Sequence, residues 1–154
     1  MQANALEKGK IISYNLLGKD VKMEELYKLN IPNNELEYML EVNPKLKELS
    51  CNEVKKHIDI LKQINLKDDQ IKEIFISCPL YLSRNVENVL NLFQKLLSYK
   101  IKNLNYFIEA DPFILLRDDY EIDEYVKVQT NLGRDLNSII DEFELNPYLI
   151  DEWL

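Results

Sequence analysis

The sequence predicts an all-α protein, a helical-repeat solenoid of about three and a half helix-pair units. Four of the five prolines, Pro44, Pro79, Pro112 and Pro147, follow one another at intervals of 35, 33 and 35 residues. An apolar stripe with helical spacing returns at the same period of 33 to 35 residues. Self-similarity over roughly 20 to 50 residues is typical of proteins whose helical units bury their apolar faces only by stacking on neighbouring units.

Each unit is expected to contain two helices, and apolar residues identify the buried face of each. In the first helix the buried positions recur at i, i+3 and i+4. They are Leu36, Met39 and Leu40, then Ile71, Ile74 and Phe75, then Leu104, Phe107 and Ile108. In the second helix they are Val54, Ile58 and Leu61, then Val89, Phe93 and Leu96, then Ile122, Val126 and, in the place of a leucine, Gln129.

The recurring proline separates the two helices of a unit. A residue that precedes proline is disfavoured from α geometry, so the first helix must end there. Proline is well tolerated as the first residue of the following turn, because an N–H at that position would lack a helical partner. We expect Asn43, Asp111 and Asn146 to cap that turn, whereas Cys78 departs from the usual capping chemistry.

These patterns divide the chain into one domain, 1–154, with three full repeats at 29–63, 64–96 and 97–131. Residues 1–28 lack the marker proline and form a capping or partial repeat, in which Gly18 ends one short helix and Asp20 caps the next. Residues 132–154 form a terminal partial repeat that ends before a second helix. Its first helix is expected to bury Leu136, Ile139, Ile140 and Phe143.

Charge is unevenly distributed, and this restricts the surfaces that can meet a polyanion. Residues 1–102 hold 16 Lys/Arg against 14 Asp/Glu, whereas residues 103–154 hold 3 against 13. The acidic run 118–124 lacks the glycine of a calcium loop and is typical of the start of a helix, where negative charge is favourable. Any contact with a polyanion therefore falls in the first two thirds of the chain.

Chemistry-bearing residues are few, and no enzymatic activity, cofactor or metal site is expected. Cys51 and Cys78 are isolated thiols, and His57 has no partner at the spacing of a catalytic or metal-binding group, so we interpret it as a packing residue. No Gly-rich phosphate loop or nucleophile elbow occurs. Without a long apolar run or an Arg-rich leader, a cytoplasmic location with no membrane contact is expected.

The repeat pattern resembles the mitochondrial transcription termination factor (mTERF) family. The likeness is carried by a helix, a Pro-x-x-Leu turn or a close variant, a second helix and a Leu-x-Leu-type loop. The residues concerned are Leu66, Ile71, Ile74, Pro79 and Leu82 in one repeat and Leu104, Phe107, Pro112 and Leu115 in the next. The resemblance covers about residues 29 to 150, and it implies stacked helix pairs whose concave face binds double-stranded nucleic acid through basic side chains.

Two functions follow as hypotheses. In the first, the protein is a non-enzymatic binding module that contacts nucleic acid through basic residues of successive units. These are Lys55, Lys56, Lys62, Arg84 and Lys95. In the second, it is a protein-binding or self-associating adaptor whose acidic C-terminal surface meets a basic partner, with Trp153 as a partner contact. The resemblance favours nucleic acid, and the acidic C-terminal third favours a protein partner.

Overall fold

The computed structural model describes residues 23–153, and within them the secondary structure is helical. The helices expected around Ile11 and Asp20 lie outside the described residues. The chain divides between Ser83 and Arg84 into two compact units. The all-α, helical-repeat architecture that the sequence predicts is confirmed.

The described part of the first unit, residues 23–83, contains four α-helices and two 3₁₀ helices. The α-helices are α1 (Glu24–Lys28), α2 (Asn33–Val42), α3 (Cys51–Gln63) and α4 (Asp68–Ser77). The 3₁₀ helices are η1 (Pro44–Glu48) and η2 (Pro79–Ser83). Helix α2 packs on α4 and on both 3₁₀ helices, while α1 packs on α3. Alternate α-helices of the chain are therefore the ones in contact, as in stacked helix pairs.

The second unit, described over residues 84–153, repeats this plan. Its α-helices are α5 (Val86–Ser98), α6 (Leu104–Ala110), α7 (Asp119–Asn131), α8 (Leu136–Leu145) and α9 (Leu149–Trp153), with one 3₁₀ helix, η3 (Pro112–Leu116). Helix α7 packs against α5, α8 and α9. The short α9 follows Pro147, at the place where the earlier marker prolines begin 3₁₀ helices.

The core of each unit is formed by the predicted stripes. All nine first-helix positions and all nine second-helix positions named from the sequence are buried, including Gln129. Leu136 is the exception in the terminal unit, because its side chain is 47% exposed, whereas Ile139, Ile140 and Phe143 are buried as expected. Phe143 packs edge-on against Phe107, with ring centroids 5.1 Å apart, so an aromatic pair joins α6 to α8.

A residue in the left-handed region of backbone conformation follows each of the helices α1, α3, α5 and α7. Positive φ occurs at Asn30, Asn65, Lys100 and Gly133, with values of 62°, 71°, 71° and 88°. After α3, the N–H of Leu66 bonds to the Leu61 carbonyl and that of Asn65 to the Lys62 carbonyl, which is the Schellman pattern. The same two bonds follow α5 and α7. Asparagine and glycine suit this conformation, and a lysine does not.

The Schellman motif explains why a glutamine replaces a leucine in α7. After α3 and α5 the motif brings together two apolar residues, Leu61 with Leu66 and Leu96 with Ile101. After α7 the same two places hold Gln129 and Arg134, and the guanidinium donates to the glutamine oxygen at 2.7 Å. Arg134 also pairs with Glu142 at 2.9 Å. A polar contact has therefore replaced the apolar one.

The capping predictions at the proline turns are right in one case of three. Asp111 accepts a hydrogen bond from the N–H of Phe113 at 3.2 Å and so caps η3. Asn43 caps nothing, because its amide instead donates to the Pro79 carbonyl at 3.1 Å and to the Ser83 hydroxyl at 2.8 Å. Asn146 donates to the Glu142 carbonyl of the preceding helix. Asn43 thus connects one proline turn to the next.

Candidate functional site

Three of the five predicted nucleic-acid contacts lie on helix α3. The helix starts at a capping box, in which the Ser50 hydroxyl accepts from the Glu53 N–H at 3.2 Å and the Glu53 carboxylate accepts from the Ser50 N–H at 3.1 Å. The buried stripe of Val54, Ile58 and Leu61 faces the core of the first unit. The lysines at positions 55, 56 and 62 are therefore left on the outer side, and all three are exposed.

The arrangement of these lysines follows from helix geometry. Lys55 and Lys62 are two turns apart, so they lie on nearly the same face, about 10 Å apart along the axis. Lys56 is about 100° further round. Lys55 and Lys56 form no ion pair with any other residue between 23 and 153, and Lys62 approaches Asp68 at 3.4 Å. An exposed pair of this kind contributes at most about 1 kcal/mol, so it leaves Lys62 able to bind another anion.

Asp59 and two further lysines complete this surface of the first unit. Asp59 is exposed one turn after Lys55, so it opposes anion binding at the centre of the lysine face. Lys45 and Lys47 are exposed on η1 and are close to the start of α3 in the chain. Neither is among the nucleic-acid contacts predicted from the sequence. Their position directly after Pro44, on an exposed turn, was the signal that could have identified them.

The inner side of α3 is held in place by His57. Its Nδ1–H donates to the Glu53 carbonyl at 2.6 Å, and its ring meets that of Tyr81 edge-on at 5.1 Å. The Tyr81 hydroxyl donates to the His57 carbonyl at 2.8 Å, and burial raises the pKa of this phenol. His57 is buried, as expected of a packing residue. These contacts fix the helix that presents the lysines.

Arg84, the fourth candidate, is bound within the second unit. Its guanidinium donates to the Leu115 carbonyl at 3.0 Å, to the Arg117 carbonyl at 2.7 Å and to the Asp118 carboxylate at 3.0 Å. Its side chain is only 16% exposed. The arginine therefore fastens the start of α5 to the turn that precedes α7. A phosphate at this position would have to replace one of these bonds.

Lys95, the fifth candidate, is held by the acidic start of α7. Its ammonium lies 2.8 Å from Asp123, whose carboxylate also accepts a bond from the Tyr99 hydroxyl. Burial and this hydrogen bond together raise the pKa of Tyr99 to about 12. Burial opposes ionisation of Asp123, but the bonds from Lys95 and Tyr99 outweigh it and lower the pKa of this carboxyl. Lys95 is thus already paired with an anion.

Trp153 lies at the end of α9, and its side chain is 47% exposed. Its contact with a partner stays a prediction.

No helix within residues 23–153 has the length and apolar character needed to cross a bilayer. In that same range, no three His, Cys, Asp or Glu residues are grouped as metal ligands.

Comparison with known protein families identifies the family of this chain. A family model described as mTERF matches residues 6–142, which is most of the chain. The chain belongs to the mTERF family. The resemblance seen in the Pro-x-x-Leu turns is therefore confirmed. No curated protein matches this mTERF sequence significantly.

Proposed function

We propose that this mTERF protein is a non-enzymatic nucleic-acid-binding module, and that the lysine face of α3 is its main contact surface. This face is defined by Lys55, Lys56 and Lys62. The observation that supports the proposal most is that three cations lie on one outward-facing helix surface, and two of them have no anionic partner among the described residues. Membership of the family supports nucleic acid as the class of ligand.

Charge limits the affinity of such a module. Residues 84–153 hold 14 Asp/Glu against 7 Lys/Arg, and the two basic candidates in this unit are already paired. Phosphate neutralisation dominates the affinity of proteins for nucleic acid, so the few lysines of the first unit must supply it. We expect weak binding that is lost at moderate salt. A cytoplasmic location and the lack of catalysis belong to the same proposal.

Salt-dependent titration tests the proposal. Labelled duplex DNA and duplex RNA are titrated with the protein at several salt concentrations, and the slope of log K against log salt is measured. Each lysine that contacts a phosphate contributes about 0.9 to this slope on B-form DNA. Lys56→Gln should therefore reduce the slope by about 0.9. Lys127→Gln is the matched control, because Lys127 is an exposed helical lysine of the second unit.

Absence of binding at low salt would exclude nucleic acid as the ligand. Binding with no salt dependence would exclude phosphate contacts by these lysines.

The alternative function predicted from the sequence is a self-associating or protein-binding adaptor, and the exposure of Trp153 favours it. Sedimentation of the wild type and of Trp153→Ala tests it, since identical monomers would remove Trp153 from self-association.

A further inference from the structure

An open groove lies on the second unit, away from the predicted lysine contacts. Its volume is about 810 Å³. One wall is formed by the end of α5, the following loop and the start of α6, from Ser98 to Phe107, and the other by α8, from Leu136 to Leu145. It therefore has the form of a channel between two helical segments.

Large apolar side chains are exposed along this groove. Tyr106 is 69% exposed, Leu145 79% and Leu136 47%, and they stand beside the buried Phe107 and Ile140. Single exposed apolar residues are common on proteins, but a group of three around one concavity is typical of an interaction surface.

The two walls carry opposite charges. Lys100 and Lys102 lie on the loop side, and Asp141 and Glu144 lie on α8. The Lys102 backbone N–H donates to the Glu144 carboxylate at 3.0 Å, so the walls are joined at that point. Asp141 appears in no ion pair within residues 23–153. The groove thus has an apolar floor, one basic edge and one acidic edge.

Lys100 also has an unfavourable backbone conformation. Its φ is 71°, and the corresponding positions after α1, α3 and α7 hold Asn30, Asn65 and Gly133. A side chain with a Cβ costs on the order of 1 kcal/mol in the left-handed region. The Schellman motif at the end of α5 imposes this conformation, so Lys100 places its charge at this edge at a small cost in stability.

We propose that the groove binds an amphipathic helix of a partner protein. Apolar residues of that helix at i, i+3 or i+4, and i+7 would lie against Tyr106, Leu136 and Leu145. Acidic residues would flank its apolar stripe on the side that faces Lys100, and basic residues on the side that faces Asp141. This pattern is the electrostatic complement of the groove. The proposal is independent of the nucleic-acid function, since it uses none of the α3 lysines.

Designed helical peptides test it directly. Three fluorescent peptides share one leucine stripe and differ in the residues that flank it. The mixed peptide has lysine on one side of the stripe and glutamate on the other. The second peptide has lysine on both sides, and the third has glutamate on both sides. The mixed peptide should bind about tenfold more tightly than the other two. The bound peptide can run along the groove in either direction, and reversing that direction exchanges the edges that its two flanks face. One mixed peptide therefore tests both arrangements.

Variants of the groove distinguish binding at this site from nonspecific hydrophobic binding. Asp141→Lys leaves Glu144 as the only acid among the groove residues of α8 and so makes that edge roughly neutral. The mixed peptide should then lose its advantage over the peptide with glutamate on both sides. Leu145→Ser should weaken the mixed peptide about tenfold without unfolding the protein, because Leu145 is a surface residue. Leu132→Ser is the matched control, since Leu132 is 58% exposed but does not line the groove.

Three results would overturn the proposal. The first is equal binding of all three peptides by the wild type, and the second is an unchanged peptide preference in Asp141→Lys. The third is a wild-type dimer in sedimentation that Leu145→Ser converts to monomer, because a second copy of the chain would then be the occupant.

Discussion

The amide of Asn43 is the most informative side chain to change in the first unit. It is 2% exposed and donates both of its N–H groups, one to the Pro79 carbonyl and one to the Ser83 hydroxyl. Asn43 precedes η1, and both acceptors belong to η2. Asn43→Leu keeps a side chain of similar size but removes both donors. It therefore tests whether this polar contact stabilises the stacking of successive proline turns.

The expected loss comes from two unequal acceptors. The Pro79 carbonyl is buried but also accepts the i→i+3 bond inside η2, so losing the Asn43 donor removes one of its two bonds and costs about 0.5–1.5 kcal/mol. Ser83 is exposed, so water can replace the lost bond and the cost is at most about 0.5–1.5 kcal/mol. The free energy of unfolding should fall by about 1–3 kcal/mol. With a urea dependence of about 2 kcal/mol per molar, the midpoint moves down by about 0.5–1.5 M.

Urea unfolding followed by circular dichroism measures this change, with Ser83→Ala as the comparison that keeps the Asn43 bond to the Pro79 carbonyl. This variant leaves one N–H of the buried amide without an acceptor, so its free energy of unfolding should also fall, by about 1–3 kcal/mol. Asn43→Asp adds a test with pH, because a buried carboxylate beside a carbonyl oxygen is unfavourable when ionised. This variant should recover stability as acid protonates the new carboxyl. A midpoint for Asn43→Leu equal to that of the wild type would refute the reasoning.

Three further stability predictions follow from the same structure. Lys100→Gly should raise the free energy of unfolding by about 1 kcal/mol, because glycine accepts the positive φ of 71°; an unchanged urea midpoint would contradict this. Burial and the nearby Asp151 raise the pKa of Asp111, so its contribution to stability is present below the usual carboxyl pKa and is lost as pH rises through the raised one. Asp111→Asn should therefore stabilise the protein at neutral pH and flatten its pH dependence, and equal pH profiles for the two proteins would exclude this effect. Pro79→Ala should lower stability by about 1 kcal/mol, since η2 then starts without a fixed φ, and a melting temperature equal to that of the wild type would contradict the role given to the proline turns.

The helical faces could be predicted from the sequence because burial in stacked helices imposes a strict spacing. Every buried position that the sequence predicts in the three full repeats is buried in the structure, including the polar Gln129. The pattern failed at Leu136, on the last long helix. Leu136 lies three residues before the buried Ile139, at the place that Asn33 and Asp68 take in earlier repeats, and neither of those residues is buried.

Local polar contacts were harder to predict, because an asparagine before proline has several partners within reach. Capping chemistry predicts a bond to a nearby backbone N–H, which Asp111 makes. Asn43 instead bonds to residues 36 and 40 positions away. Sequence spacing alone does not show which choice is made, since the outcome depends on how closely the next turn packs.

The candidate site was predicted only in part, because the charge of a residue does not show whether that charge is already neutralised. Lys55, Lys56 and Lys62 are exposed on one helix. Arg84 and Lys95 occur at comparable places in the sequence, but they neutralise Asp118 and Asp123. Those ion pairs join residues 34 and 28 positions apart, so they become visible only in the folded chain.

Lysine footprinting tests the proposed function most directly. The protein is acylated at lysine with a short pulse of reagent, with and without saturating duplex at low salt, and each site is quantified by mass spectrometry. Our account predicts that the duplex protects Lys55, Lys56 and Lys62, and leaves Lys127 as reactive as before. Protection of Lys127 with no protection of the three α3 lysines would contradict it.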